Sequence, residues 1–253
     1  MEKNGNNIYL VAGAIVLAGL LIGFGVYFGG KNAKNNDATA KKDLIEKIDI
    51  KPVSENDHIL GNPKADVVIV EFSDIECPFC KTFHETINKI MSEYAKDGRV
   101  AWVYRHFPLV SLHSKAETEA QATECAEELG GNAGFWNYIN KLYEITPSNN
   151  GLDLNKLPEI AAELGIDKTK FEECQKSKKY EKKVQEQLED AINSGGTGTP
   201  YNIIITKNGD KYVVNGAAPY LMMKSVVDTV LDSIDTGKSY EATNDAVRKI
   251  MGQ

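Results

Sequence analysis

The sequence predicts an α/β fold that is interrupted by a helical segment and preceded by a membrane anchor. Residues 67–107 have a strand–helix–strand order, and residues 112–192 show only helical periodicity. A β-hairpin and a helix then follow over residues 201–234. Strand, helix, strand is the βαβ unit of α/β folds. An uncharged apolar run over residues 8–28 precedes all of these elements.

The apolar run at residues 8–28 contains no charged side chain and no amide. At about 1.5 Å per residue, a helix of this length crosses the hydrocarbon core of a bilayer. We therefore predict a transmembrane anchor at 8–28, with a cytoplasmic N-terminus at 1–7. A cleaved signal peptide is the alternative, but its apolar region is shorter, and the Ala-x-Ala pattern at Ala38 to Ala40 lies well beyond the run.

Residues 29–60 are predicted to be a tether and an N-terminal extension. Gly, Lys, Asn, Asp and Ala dominate the first half of this stretch, which has no apolar periodicity and cannot offset the entropy of ordering. A Gly-Asn-Pro turn at 61–63 then leads into the first strand. The folded part is predicted to divide into an α/β domain at 61–111 and 193–253 and an inserted helical domain at 112–192.

The first three elements follow from side-chain spacing. Residues 67–73 are an apolar run with one carboxylate, Glu71, which is typical of a central strand buried on both faces. Large apolar side chains recur every three or four residues over 78–96, which predicts a helix that Gly98 ends. Large apolar side chains alternate with smaller or charged ones over residues 99–107, which predicts the second strand.

The later elements follow in the same way. Apolar side chains have only helical spacing over 112–192, which predicts an all-helical block. The turn at Asn208-Gly209-Asp210 separates the strand-like runs 201–206 and 211–214, which predicts a β-hairpin. Residues 219–234 have helical spacing and are predicted to close the domain.

Composition excludes two broad classes of protein. The chain has 29 Lys and Arg against 36 Asp and Glu, for a formal net charge of -7. No basic excess is present to neutralise phosphates, so nucleic-acid binding is excluded. Four cysteines in 253 residues also exclude a small disulfide-dense domain.

The motif Cys77-Pro78-Phe79-Cys80 stands where the first predicted strand ends and the first helix begins. A helix N-terminus presents free N–H groups and a partial positive charge, which favour a thiolate and lower a cysteine pKa. Pro78 suits the first helical position because its missing N–H needs no partner there. We therefore predict that Cys77 is the nucleophile and that Cys80 closes the disulfide.

A zinc site is the alternative for this motif, but such sites need four ligands. The chain offers no second Cys-x-x-Cys motif and no paired histidines. His84 is the nearby candidate ligand, although a solvated surface histidine is its more ordinary role. We predict no metal and no other cofactor.

Glu71 is the second candidate for a functional role. An ionised carboxylate inside an apolar strand is costly, and burial raises its pKa. From six residues before Cys77, it is placed to exchange a proton with Cys80. An edge-facing surface acid is the alternative.

Four segments together resemble the DsbA family of thiol–disulfide oxidoreductases. They are Glu71 to Lys81, Arg105-His106-Phe107-Pro108-Leu109, Gly134-Phe135-Trp136 and Gly198-Thr199-Pro200. The resemblance covers about residues 60–235 and implies a thioredoxin-like fold with an inserted helical domain.

The resemblance also implies roles for individual residues. It makes Pro200 a cis-proline that faces the cysteine pair, whereas the sequence alone indicates only a turn. It makes the backbone of Thr199 a partner for an extended substrate, beside Pro78 and Phe79, and Glu71 the buried proton-transfer acid.

The sequence departs from the family pattern at two places that affect the reduction potential of the cysteine pair. Pro78-Phe79 lacks the histidine of the most oxidising members of the family. Asp74 and Glu76 raise the pKa of Cys77 if they face it, which argues against a strongly oxidising potential.

Cys125 and Cys174 lie in two predicted helices of the insert. We expect a structural disulfide between them, since similar second pairs occur in some relatives, with two buried free thiols as the alternative.

A structural disulfide requires an oxidising compartment, so we expect the catalytic part outside the cytoplasmic membrane. Charge bias alone argues the reverse, because lysines after the apolar run outnumber Lys3 before it.

The expected function is therefore disulfide introduction or exchange in exported proteins that carry free thiols. The resemblance implies reoxidation by a membrane quinone-linked partner of the DsbB or vitamin K epoxide reductase-like type. A reductase or isomerase kept reduced is the first alternative. A membrane-tethered chaperone or metal-binding module is the second.

Overall fold

The structure is a computed structural model that describes residues 48–94 and 96–253. The expected anchor at 8–28 and most of the expected tether lie outside the described residues. Within the described ranges, no helix has the length and apolar character needed to cross a bilayer.

In the described ranges, five strands form one mixed sheet in the order β1-β3-β2-β4-β5. β2 is parallel to β3 and antiparallel to β4, so it occupies the centre of the sheet. This position explains the apolar sequence of β2, since a central strand is covered on both faces. The strands are β1 His58–Gly61, β2 Val67–Ser73, β3 Val100–His106, β4 Tyr201–Thr206 and β5 Lys211–Asn215.

Seven α-helices accompany the sheet in the described part of the chain. They are α1 Pro78–Tyr94, α2 Ala116–Ile145, α3 Leu157–Glu163, α4 Lys168–Ser177, α5 Glu181–Asn193, α6 Tyr220–Thr236 and α7 Tyr240–Ile250. A 3-10 turn, Leu154–Lys156, precedes α3. Gly131 interrupts α2 with a φ of 65°, a backbone conformation that glycine adopts without steric cost. The strand and helix order predicted from residue 67 to residue 234 is confirmed.

Two elements were not predicted from the sequence. β1 has only four residues, too few to show a period, and pairs antiparallel with β3. α7 follows the helix that was expected to close the domain, and Ser239 caps its N-terminus by accepting a hydrogen bond from the N–H of Ala242.

One apolar cluster joins the sheet to the helices. Ile69 of β2 and Trp102 of β3 lie in it with Phe83 and Ile87 of α1. Trp136 of α2 joins the same cluster, 4.5 Å from Trp102 between ring centroids. Helix α1 is therefore fixed against the central strands, and its first turn lies at the end of β2.

A buried arginine fixes the residues that precede β1. Arg105 in β3 donates to Asp57 at 2.8 Å and to Asp190 of α5 at 2.7 Å. The backbone N–H of Lys51 also donates to Asp190, at 2.8 Å. The chain from about Lys51 onward is thereby held on the folded domain.

Candidate active site

The motif Cys77 to Cys80 forms the start of α1, as the sequence analysis expected. The N–H of Cys77 donates to the carbonyl of Asp74 in a turn after β2, and Pro78 is the first helical residue. The N–H of Lys81 donates to the carbonyl of Cys77 at 3.1 Å. Cys77 thus lies at the position where a helix N-terminus stabilises negative charge.

The two sulfurs of the motif occupy different environments. Both thiols are free; Cys77 is 5% exposed and Cys80 is fully buried. The Sγ of Cys77 lies 3.6 Å from the carbonyl oxygen of Thr199. The Thr199–Pro200 peptide bond is cis, and Pro200 is buried. The structure therefore brings the Gly-Thr-Pro segment to the cysteine pair.

Hydrogen bonding and burial separate the acidities of the two thiols. The hydrogen bond with Cys80 is the largest cause that lowers the pKa of Cys77 to about 6, with further contributions from Thr199 and the backbone of Phe79. Burial raises the pKa of Cys80 well above its usual value, and the neighbouring Cys77 raises it further. At neutral pH, Cys77 is a thiolate and Cys80 is a thiol.

Glu71 lies in the core, with a fully buried side chain. Burial raises its pKa to about 8, and the side chains of Ser73 and Trp102 oppose the shift. Its charge also raises the pKa of Cys80, which places the two groups within electrostatic reach. The carboxyl group is therefore mostly protonated at neutral pH and is available to protonate a Cys80 thiolate.

Asp74 points away from the nucleophile. Its carboxylate accepts hydrogen bonds from the N–H groups of Leu109 and Glu76 and lies 2.8 Å from the Nδ1 of His113. The N–H of Asp74 donates to the Sγ of Cys80 at 3.4 Å. The side chain holds the loop after β3, while the backbone stabilises charge on Cys80.

Glu76 is also held away from Cys77. The N–H groups of Asn150 and Gly151 donate to its Oε2 atom, the latter at 3.2 Å. Neither Asp74 nor Glu76 is among the groups that set the pKa of Cys77. The expectation held only if these acids face Cys77, and that condition is not met, because Asp74 bonds the N–H groups of Leu109 and Glu76 while Glu76 bonds those of Asn150 and Gly151.

Glu119 on α2 forms a buried carboxyl pair with Glu76, which was not predicted. Burial and the neighbouring carboxyl group of Glu76 raise the pKa of Glu119 to about 10. Neither oxygen of Glu119 has a hydrogen-bond partner among the described residues. Glu119 is next to apolar positions of an amphipathic helix, and nothing in its sequence context marks it as buried.

His84 is not a surface residue. It is buried, its Nε2 lies 2.7 Å from the Oδ1 of Asn140, and burial lowers its pKa to about 4. Its ring lies 4.3 Å from that of Tyr143 and 5.2 Å from that of Trp102, between centroids. His84 is therefore a neutral core residue.

Pro78 and Phe79 are exposed between the two buried cysteines, and Phe79 is 66% exposed. A large aromatic ring in water beside a thiolate is available to contact a substrate.

Cys125 of α2 and Cys174 of α4 form a disulfide in the structure. They are 49 positions apart, and the bridge joins two helices of the insert.

The structure brings together one further group that sequence reasoning missed. The Nε2 atoms of His58 and His106 lie 2.8 Å and 3.0 Å from the Oε1 of Glu124. The ammonium group of Lys183 lies 2.6 Å from the other oxygen of Glu124. The three potential ligand atoms are close enough for a metal ion, but the Lys183 ammonium already supplies a cation to the carboxylate.

Comparison with known proteins gives a consistent family. The family model described as Thioredoxin matches residues 53–228. DsbA2 of Pseudomonas aeruginosa is 26% identical, with a TM-score of 0.59, covering 70% of this chain and 96% of its own. Alpha-DsbA1 of Wolbachia pipientis is 25% identical, with a TM-score of 0.61, covering 74% and 96%.

Part of the chain is also similar to part of a protein named as an antiporter rather than as an oxidoreductase. The Na(+)/H(+) antiporter NhaA 1 of Mycolicibacterium gilvum is 30% identical over 154 residues, which are 60% of this chain. The chain spans about a quarter of that antiporter, 24% of its length.

The cysteine pair at the start of α1, in a fold shared with the DsbA structures, is the arrangement of a thiol–disulfide oxidoreductase. The enzyme class expected from the sequence is thereby confirmed. Because the family model covers more than half of the chain, the protein belongs to the thioredoxin family, and its fold is DsbA-like.

Proposed function

We propose that the protein is an extracytoplasmic, membrane-anchored enzyme that introduces or exchanges disulfides in exported proteins. The difference in acidity between Cys77 and Cys80 carries the proposal. A pKa of about 6 makes Cys77 a good leaving group and a reactive nucleophile, while Cys80 is kept as a thiol. Stabilising the thiolate of the reduced pair favours disulfide donation.

The chemical step runs through Cys77. A substrate thiolate attacks the Sγ of Cys77 in the Cys77–Cys80 disulfide, forming a mixed disulfide and releasing Cys80 as a thiolate. Cys80 takes a proton from the carboxyl group of Glu71. A second substrate thiolate then attacks the substrate sulfur of the mixed disulfide and releases Cys77 as a thiolate. Two electrons have passed from the substrate to the enzyme pair.

Three exposed apolar side chains favour polypeptide substrates over small thiols. Phe79 is 66% exposed, and Val110 and Leu112, on the loop held by Asp74, are 51% and 68% exposed. Exposed apolar groups beside a reactive site are typical of surfaces that bind unfolded or extended chains. The carbonyl of Thr199 beside Cys77 adds a backbone hydrogen-bond acceptor for such a chain.

The cellular part of the proposal rests on the sequence. The apolar run at 8–28 supports an anchor, and the Cys125–Cys174 bridge supports an oxidising compartment. Reoxidation requires an electron acceptor, for which we propose a membrane quinone-linked reductase of the DsbB or vitamin K epoxide reductase-like type. Anchoring both proteins in one membrane raises their effective concentration.

The equilibrium reduction potential of Cys77–Cys80 in the full-length protein tests the proposal, with Cys125 and Cys174 followed separately by mass. A value above about -180 mV supports disulfide donation. A value near about -270 mV contradicts it and favours the reductase alternative. Client binding that survives a Cys77→Ser, Cys80→Ser double variant, without turnover by the unaltered protein, would instead favour a chaperone.

A further inference from the structure

Asn150, in the loop after α2, joins two segments that flank the cysteine pair. Its backbone N–H donates to the Oε2 of Glu76, the residue that precedes Cys77. Its side-chain Nδ2 donates to the carbonyl of Leu112 at 2.9 Å, and its Oδ1 accepts from the Oγ of Ser114 at 3.2 Å. Through this one residue, the turn before α1 is connected to the loop between β3 and α2.

The backbone around Asn150 is shaped for the contact with Glu76. Ser148, Asn149 and Asn150 have φ values of 62°, 52° and 64°, in the left-handed region that residues other than glycine rarely adopt. The N–H of Asn149 donates to the carbonyl of Glu76 at 2.8 Å. The N–H groups of Asn150 and Gly151 donate to its carboxylate. Successive N–H groups in such a turn form a concave site for an anion, which here is the Glu76 side chain.

The loop that Asn150 reaches carries apolar side chains in water. Asp74 fixes the start of this loop, since its carboxylate accepts a hydrogen bond from the N–H of Leu109 at 2.8 Å. Asn150 fixes the loop further along, at the carbonyl of Leu112. The side chains of Val110 and Leu112 nevertheless remain more than half exposed. The loop backbone is therefore held in place while its apolar side chains are available to a partner.

We propose that Asn150 is a specificity-determining positioning residue, which holds Leu112 at a fixed place relative to Cys77 for polypeptides that carry apolar side chains. The inference rests on the proposed exchange reaction and narrows its substrates to chains with an apolar residue near the reacting cysteine. Leu112 lies one side chain away from Glu76, because Asn150 bonds to both, and Glu76 is adjacent to Cys77. A polypeptide thiolate that attacks Cys77 thus brings its neighbouring side chains within reach of Leu112, whereas a small thiol does not.

The two contacts of Asn150 can be separated by one substitution. The contact with Glu76 is made by the backbone, and the contact with the loop is made by the side chain. Asn150→Gly keeps the N–H that bonds to Glu76, and glycine accommodates a φ of 64° without steric cost. It removes only the side-chain hydrogen bonds to Leu112 and its neighbours. The variant therefore releases the loop and leaves the turn before Cys77 in place.

The test is single-turnover reduction of the oxidised full-length protein by thiols over a range of concentrations. The thiols are a one-cysteine peptide with leucines beside the cysteine, the same peptide with serines there, and 2-mercaptoethanol. In the unaltered protein, we expect the leucine peptide to half-saturate the reaction at a concentration about tenfold below that of the serine peptide. Asn150→Gly should remove this difference. It should change neither the limiting rate with the leucine peptide nor the rate with 2-mercaptoethanol.

Asn149→Gly is the matched control. Asn149 has the same left-handed backbone conformation, and its N–H also bonds to Glu76. Its side chain is exposed and takes no part in the hydrogen bonds to the loop. The variant should therefore keep the preference for the leucine peptide. The pKa of Cys77, followed by thiolate absorbance, should stay near 6 in both variants, which separates loss of placement from damage to the thiol site.

Leu112→Ser tests the contact itself and does so even if Asn150→Gly fails to fold. Leu112 is 68% exposed, so its replacement leaves the core intact. It should weaken half-saturation by the leucine peptide as much as Asn150→Gly does, and the double variant should weaken it no further, because both changes remove one contact.

Three outcomes would overturn the inference: an unchanged leucine preference in either single variant, additive losses in the double variant, or an equal slowing with 2-mercaptoethanol. A different outcome would overturn the proposed function. In that case the disulfide Cys77–Cys80 of the unaltered protein would react with the peptides no faster than oxidised glutathione does.

Discussion

The carbonyl oxygen of Thr199 lies 3.6 Å from the Sγ of Cys77, although 122 positions separate the two residues. The whole inserted helical segment lies between them in the sequence. The sheet brings them together because β2, which leads to Cys77, pairs antiparallel with β4, which begins after Pro200. Strand pairing therefore brings the two residues together from either side of the insert.

Cys80→Ala should raise the pKa of Cys77 substantially above 6. The hydrogen bond with Cys80 is the largest cause of the lowered value, and the alanine cannot supply it. Titration of thiolate absorbance near 240 nm measures the change. The matched control is the double variant Cys125→Ala, Cys174→Ala, which removes only the distant disulfide. Cys174→Ala alone is unsuitable, because it leaves Cys125 as a free thiol. An unchanged Cys77 pKa in Cys80→Ala would contradict the assignment.

Glu119→Gln should flatten the pH dependence of stability between about pH 5 and pH 9. The folded pKa of Glu119 is raised to about 10, so the folded state retains a proton that the unfolded state loses above pH 4.5. The free energy of unfolding therefore falls as the pH rises, by at most about 1.4 kcal/mol per pH unit. Urea unfolding at several pH values measures the slope. Glu117→Gln, on the same helix and partly exposed, should keep the slope of the unaltered protein.

Replacing Cys125 and Cys174 together by alanine should lower the free energy of unfolding by about 4 kcal/mol. The estimate follows from the loop that the bridge closes in the unfolded chain. The reduction potential of Cys77–Cys80 should not change, because the bridge lies between α2 and α4. Denaturant unfolding and glutathione titration provide the two measurements. A shifted potential with unchanged stability would be the contrary result.

Arg105→Met should destabilise the fold by about 3 kcal/mol or more, because it leaves the buried carboxylates of Asp57 and Asp190 without their cation. Thermal unfolding measures the loss. Arg99→Met is the control, since its ion pairs with Asp66 and Asp235 are exposed to solvent and should contribute much less to stability. Equal losses in the two variants would contradict the role of burial.

The parts of the site that depend on neighbouring residues were predictable. Cys77, Pro78 and Cys80 lie in one turn, and Glu71 stands out as a single acid in an apolar strand. Cys80 could be predicted as the buried partner because it lies one turn further into the helix than Cys77. The cis peptide bond before Pro200 could not be predicted from the residues themselves. Only the family resemblance predicted it.

The parts that depend on register and packing were not predictable. His58, Glu124 and Lys183 meet only because β1 pairs with β3 and α2 and α5 cover that edge. Glu76 and Asn150 are 74 positions apart and carry no signal as a pair. The burial of Glu119 was not predictable either. Helical spacing locates the buried face of a helix only to within one position, so it does not distinguish a buried acid from its exposed neighbour.

The Cys125–Cys174 bridge has a consequence for how the protein matures. Each new chain leaves synthesis with four reduced cysteines and gains its stabilising bridge only when an oxidant removes two electrons. Synthesis alone therefore does not give the protein its full stability, which the chain reaches only after this oxidation.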